Sequence, residues 1–218
     1  MKTIDEFLEE RCRNYQEKQH QYESSAEFYS LVERLTEEKK QLGYTTVPDL
    51  AEPSPGSISV HFHGFPHSAP YQELFQVFHR HQYYELVYVY RGQMRNRFLN
   101  GQQILLRQGD LLLLNSNALH GVDTDGMGDL VFDIIISPRL FEQYALSILR
   151  DNPLFSFFFL DDLYSSKKSE RYLYFKTDRS AKARELIESI ITESLNDLPC
   201  RDNMMQAALM MLLSLIHI

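Results

Sequence analysis

Along Met1 to Leu42, apolar residues fall at the three- and four-residue spacing of an α-helix: Ile4, Phe7, Leu8, Cys12 and Tyr15, with Glu and Arg between them. A second helical segment opens at Ser24-Ser-Ala-Glu27, which has the spacing of a capping box. It carries Phe28, Leu31, Val32 and Leu35 as one stripe and stops at Gly43. The expectation is a helical hairpin covering one side of a core, with a docking or pairing helix as the alternative. Pro48, Pro53, Pro55 and Gly56 then sustain neither a helix nor a central strand, so residues 44–56 read as a linker.

The period changes beyond the linker. Ile58, Val60 and Phe62 alternate with Ser59, His61 and His63, as in a strand with one buried face. From there to Ser137, short strand-like runs alternate with Gly, Asn and Asp turns. Asn100-Gly101 between Met94–Leu99 and Gln102–Arg107 is a hairpin signal. Gly109-Asp110 precedes Leu111–Leu114, an apolar run that fits a strand buried on both faces. Leu130 to Ile136 is a further strand, ended by Pro138. About eight strands in some eighty residues predict an antiparallel barrel or jelly roll over residues 57–138.

The helical period returns over residues 139–218. Leu140, Phe141, Tyr144, Ala145, Ile148 and Leu149 form a stripe, and the cluster Phe155, Phe157, Phe158 and Phe159 follows. Arg171-Tyr-Leu-Tyr-Phe-Lys176 reads as a short isolated strand. Ala183, Leu186, Ile187, Ile190, Ile191 and Leu195 mark one helix, broken at Asn196–Pro199. Met204, Met205, Ala208, Leu209, Leu212, Leu215 and Ile216 mark another. Two successive apolar helices predict an antiparallel pair and a homodimer formed through it. The fold class expected is therefore mainly β with α, a barrel flanked by N- and C-terminal helices. The chain stops at Leu215-Ile-His-Ile218 without a helix terminator, which implies further protein beyond.

Composition narrows the functional classes. A net charge of −8 over 218 residues argues against nucleic-acid binding by this chain, because phosphate contact needs a basic face. Cys12 and Cys200 are far apart and imply no disulfide framework, which fits a reducing cytoplasm. No signal peptide or membrane-spanning run is legible, so no membrane partner is expected.

Candidate chemistry centres on His79-Arg-His-Gln-Tyr-Tyr-Glu85, closed by Gly92. On an extended backbone His79, His81 and Glu85 share a face, and His120 would supply a fourth group. Three imidazoles and a carboxylate suit a divalent transition metal; they equally suit a pocket that hydrogen-bonds an organic effector. Arg95 and Arg97 share a strand face and would hold an anionic effector, or would form the solvated face of an edge strand. Tyr88, among Tyr83, Tyr84 and Tyr90, would stack on a sugar or aromatic effector, or would be an ordinary strand tyrosine. His61, His63 and His67 are expected at the barrel rim or surface, since no carboxylate follows them at useful spacing.

These residues resemble the two cupin motifs. His79, His81, Glu85 and Gly92 meet the first, with Glu73 in place of its leading Gly. Gly109 and His120 meet the second, with Asn115, Asn117 and Thr124 in place of its Pro, Gly and Asn. Phe78 to Gly92, Gln108-Gly-Asp-Leu-Leu-Leu-Leu114, His120 and the helical tail after Tyr172-Leu-Tyr-Phe175 resemble the sensor half of AraC-type transcription regulators. The resemblance covers Ser57 to the end and leaves out Met1–Leu42. It implies a cupin-like barrel binding a small effector such as a sugar or other polar metabolite, a helical dimer interface, and DNA contact only through a C-terminal helix-turn-helix part outside this chain. It implies no catalysis and no cofactor. The alternatives are a divalent metal at His79, His81, Glu85 and His120, and a free-standing metal-dependent cupin enzyme, a dioxygenase or isomerase.

Overall fold

A strand buried on both faces needs apolar partners on each side, and the central strands of this protein have them. The computed structural model describes residues 1–13, 15–46, 57–63, 78–124, 128–142, 152–164, 170–177 and 180–216. Its helices are α1 (Ile4–Arg13), α2 (Tyr15–Glu23), α3 (Ala26–Leu42), α4 (Pro153–Tyr164), α5 (Ala181–Leu195) and α6 (Arg201–Leu215). Its strands are β1 (Thr45–Thr46), β2 (Ile58–His63), β3 (His79–Arg80), β4 (Tyr84–Arg91), β5 (Gln93–Phe98), β6 (Gln103–Arg107), β7 (Asp110–Leu114), β8 (His120–Asp123), β9 (Leu130–Ile136) and β10 (Tyr172–Lys176). They form two five-stranded sheets, β1-β3-β8-β5-β6 and β10-β7-β4-β9-β2, antiparallel except where β1 runs parallel to β3. The predicted cupin-like barrel of mainly antiparallel strands, flanked by helices, is what forms.

Side-chain alternation divides the second sheet between two cores. Val87, Val89, Leu112, Leu114 and Val131 point into the lumen, where they meet Met94, Phe98 and Leu106 of the first sheet. Tyr84, Leu86, Tyr88, Leu111, Leu113, Phe132, Ile134 and Ile136 point the other way, into a helical layer. There the Tyr84 ring meets Phe141, Phe158 and Phe159 at centroid distances of 4.8, 6.1 and 5.1 Å. Helices α5 and α6 close the layer with Ile187, Ile190, Ile191, Leu209 and Leu212, all essentially inaccessible. The run Leu111–Leu114 is thus buried on both faces, as its unbroken apolarity implies.

Several elements differ in detail from their sequence signals. The cap of α3 is Ser25, whose side chain accepts from Phe28 N at 3.1 Å, one residue later than the capping-box spacing suggests; Gly43 ends the helix as expected, at φ 77°. The segment Tyr172–Lys176 is not an isolated strand. β10 pairs antiparallel with β7, Tyr172 opposite Leu114 through Lys176 opposite Asp110, so a strand from beyond Pro138 completes the sheet. Thr45–Thr46, read as linker, pair with His79–Arg80. Helix α1 docks on the helical layer through buried Ile4 and Leu8, with Phe7 edge-on to Phe62 at 5.9 Å. The Asn196 side chain, at the end of α5, accepts from Lys2 N at 2.7 Å and donates to Lys2 O at 3.0 Å. The proline-rich residues 47–56, His67 and the stripe positions 144–149 lie outside the described residues.

Gly92 turns β4 into β5 at φ 79°, and a Cβ there would lie 2.9 Å from both Gly128 O and the Asp129 Cα. Gly101 in the β5–β6 hairpin has φ 82°, but a Cβ there would meet nothing within 4 Å. Gly92→Ala therefore combines left-handed strain with a backbone clash, whereas Gly101→Ala carries the strain alone. Chemical denaturation is expected to find Gly101→Ala less stable by about 1 kcal/mol and Gly92→Ala less stable by clearly more; equal losses would remove the clash from the account.

Candidate functional site

A polar cluster lies where the first sheet meets the second. β3 and β8 pair through His79 and His120, whose rings lie 4.3 Å apart. The chain then leaves the sheet at His81, which lies flat on Tyr83 with ring centroids 4.2 Å apart, and re-enters as β4 carrying Glu85. His79, His81 and Glu85 therefore do not share one continuous strand. The bend after Arg80 brings them together across two sheets. His120 is placed by the β7–β8 turn. There Asn115, fully buried, accepts through Oδ1 from Asn117 N at 3.3 Å and from Arg171 N at 3.1 Å. A side-chain-capped turn thus does the positioning where the second motif departs from its Pro and Gly.

Hydrogen bonding fixes the tautomers. The His81 Nδ1 faces Tyr83 O at 2.9 Å and the His120 Nδ1 faces Ala118 O at 3.3 Å; a ring nitrogen facing a carbonyl carries the proton. Both Nε2 atoms are thereby turned toward a single atom, Glu85 Oε2, at 2.9 Å from His81 and 3.3 Å from His120. Neutral rings would point two lone pairs at a carboxylate oxygen, so the arrangement calls for a cation among the three: protons on the imidazoles or a metal ion. Burial alone would push the Glu85 carboxyl up, but the His81 and His120 imidazoles outweigh it and hold the group well below its usual value. The ligand atoms of His81, Glu85 and His120 lie within 4.8 Å of one another, a donor set that fits a divalent transition metal; His79 stands beside this trio.

The remaining expected site residues are placed elsewhere. Tyr88, three residues from Glu85, falls on the opposite face of β4. It is buried in the helical layer, with its hydroxyl donating to Glu188 of α5 at 3.2 Å. Tyr84 and Tyr90 share that face, while Tyr83 stays with His81. Arg95 and Arg97 alternate with the lumen-facing Met94, Asn96 and Phe98 and so point outward, and Arg97 pairs with Asp123 at 2.7 Å. This is the solvated-face arrangement and not a lumenal anion clamp.

Three lumen-facing residues carry chemistry to which the sequence reading gave no role. His61 and His63 have the parity of Asp133 and Val131 on β9, which turns them toward the lumen, and His63 Nδ1 lies 3.6 Å from Asp133 Oδ2. Its carboxylate comes from the neighbouring strand, not from its own. A lone Asp in the apolar run Leu130–Ile136 was the signal that could have found it. The His63 side chain is 41% exposed, which agrees with a position at the rim. The third is Asn96, fully buried on the lumen side of β5.

Burial disfavours the His63 cation, but Asp133 outweighs burial and holds the imidazole above its ordinary value of 6.5. Burial and the Glu85 charge push the Asp133 carboxyl up. A raised imidazole contributes stability that is complete below pH 6.5 and fades as pH rises through the shifted value. An NMR titration is expected to find His63 titrating above 6.5, and Asp133→Asn, which leaves only the Glu85 charge against burial, is expected to lower it. A titration unmoved by Asp133→Asn would remove the pair.

Comparison with known proteins bears on this site. A family model described as the AraC-like ligand binding domain matches residues 61–217. Among solved structures, apo ToxT from Vibrio cholerae is similar at 10% identity and a TM-score of 0.46, over 73% of this chain and 55% of that one. ToxT from the same organism with an unsaturated fatty acid bound is similar at 10% identity and a TM-score of 0.43, over 72% of this chain and 50% of that one. Acireductone dioxygenase from Bacillus anthracis, with cadmium in its active centre, gives 18% identity and a TM-score of 0.28 over 53% of this chain and 66% of that one. This chain thus spans about half the length of the ToxT structures. No curated protein matches it in sequence.

Proposed function

We propose, from the premise that this chain belongs to the family of AraC-like ligand-binding domains, that it is the effector-sensing and dimerisation part of a transcription regulator. A small polar molecule would bind in the barrel lumen beside His81, Glu85 and His120, by binding rather than catalysis. The observation that carries the reading is the double role of β4. Glu85 and Val87 face the lumen, while Leu86 and Tyr88, between and beyond them, pack on the helices, and Tyr88 hydrogen-bonds Glu188 of α5. A ligand that displaces the lumen face of β4 must move its helical face as well, because the strand is one rigid ribbon. Effector occupancy is thereby linked to the setting of α5 and α6.

Helix α6 exposes Met204, Met211 and Leu215 beside a fully packed inner face, and a second copy of the chain is the partner proposed for them. DNA contact is assigned to a helix-turn-helix part outside these residues, consistent with the net charge of −8. Division into residues 1–43, 44–56, 57–138 and 139–218 remains the proposed organisation, with β10 joining the barrel sheet from the last of these. No helix of the described residues is long and apolar enough to cross a membrane, and the cytoplasm is the proposed location.

A thermal-shift screen of sugars and other polar metabolites tests the reading. An effector is expected to raise the melting temperature of residues 1–218 with concentration, and Glu85→Ala is expected to weaken that response at least about tenfold by leaving two buried imidazoles unpaired. Specific retardation of DNA by these residues alone would overturn the division of roles.

The two Nε2 atoms converging on Glu85 favour a second reading, in which a divalent transition metal is held by His81, Glu85 and His120, with His79 alongside. Such an ion would supply a positive charge for an anionic or carbonyl group of a bound molecule, and with open positions would permit catalysis. Elemental analysis of protein purified without added metal decides: near-stoichiometric metal that His81→Ala removes supports this reading, and background metal in the wild type excludes it.

A further inference from the structure

Asn96 is the one polar side chain set among the apolar residues of the lumen's inner wall on β5. It lies between Met94 and Phe98 on its own strand and opposite Val122 of β8 and Ile104 of β6, all of them in or against the lumenal apolar cluster. Its exposure is 0%, and among the described residues neither its Oδ1 nor its Nδ2 has a hydrogen-bond partner. Each orphaned group of this kind costs about 1–3 kcal/mol, so an aliphatic side chain of similar size would give a more stable wall. A strand that accepts this cost at one lumen-facing position, with apolar neighbours on both sides, holds a group whose partner is brought by something else.

We propose that Asn96 is the neutral anchor of the effector pocket, recognising an uncharged carboxamide or hydroxyl group carried on an apolar body. The inference rests on the reading of the lumen as an effector site and names the chemistry that site selects. A carboxamide presents an acceptor and a donor side by side, and its complement is a group that donates and accepts together. Anions are disfavoured there: the nearest cations along the strand, Arg95 and Arg97, point outward, and Arg97 is committed to Asp123. A charge against Met94, Asn96 and Val122 would be buried with no counter-ion in contact, since the His81–Glu85–His120 cluster lies farther along the sheet and already holds its own carboxylate. Asn96 stands two cross-strand pairs from Phe98–His120, the next pair on the same face, roughly 7 Å along the sheet at the rise of an extended chain. That separation is within the length of one small molecule that would reach both the His81–Glu85–His120 cluster and the amide.

The test uses residues 1–218 with a matched series, hexanamide, hexanol and hexanoate, followed by thermal shift in the wild type, Asn96→Val and Asn96→Ala. In the wild type, hexanamide and hexanol are expected to raise the melting temperature more than hexanoate. Both variants are expected to weaken the hexanamide response about tenfold, the loss of two neutral hydrogen bonds, and Asn96→Val is expected to melt no lower than the wild type without ligand. Ligand-free melting that falls in both variants would assign Asn96 a structural role and overturn the proposal. So would an unchanged hexanamide response, or a wild type that responds to none of the three or equally to hexanoate. The effector reading is judged separately. Metabolites whose stabilisation is lost in Glu85→Ala but kept in Asn96→Val leave that reading standing while removing Asn96 from it, and a panel with no stabilising compound removes the reading itself.

Discussion

The sheet β10-β7-β4-β9-β2 is covered on both faces, and everything else in the protein follows from which side chain points which way along it. Odd positions of β4 and β9, Glu85, Val87, Val89, Val131 and Asp133, line the lumen; even ones, Tyr84, Leu86, Tyr88, Phe132 and Ile134, found the helical core. A slip of one residue would exchange the two sets and put Glu85 and Asp133 into an aromatic cluster, a cost of several kcal/mol for each buried charge. The register is held by apolar matching on both sides at once. It fixes the binding chemistry and the helical packing as a single choice.

The polar cluster exploits that rigidity. Two backbone carbonyls, Tyr83 O and Ala118 O, decide which nitrogen of each imidazole is free, and the free nitrogens meet over one oxygen of Glu85. A second, more open pair, His63 and Asp133, lies on the same face of the same sheet. The lumen is therefore graded: a closed cationic–anionic knot at one place, a titratable pair near the rim, and an apolar wall interrupted by one amide.

Local patterns carried most of the architecture. Alternation marked β2, apolar runs marked β7 and β9, and the stripes of α3 and α5 fell on the faces that became buried, whereas the α6 stripe was too wide: its Met204 and Leu215 are exposed, and Leu213, outside it, is buried. What was not legible depends on pairing between distant strands. His63 lacks a carboxylate on its own strand and obtains one from β9, and β10 looks isolated until β7 is beside it. Tyr88 had the composition of a pocket residue, but its parity puts it on the face of β4 opposite Glu85, which the helices cover. His81 illustrates the opposite case. The assumption of a continuous strand placed it correctly near Glu85, although a bend, and not strand periodicity, does the work.

The two residues of β1 have a bearing on assembly that their length conceals. By pairing in parallel with β3, Thr45 and Thr46 occupy the outer edge of the first sheet at His79–Arg80. An uncovered edge there would offer unpaired amide and carbonyl groups to any extended strand of another molecule, the usual route to strand exchange and fibrillar association. The segment that follows α3 thus covers the β3 edge and leaves in its place a strand of two residues, too short to template an extended ladder with another copy.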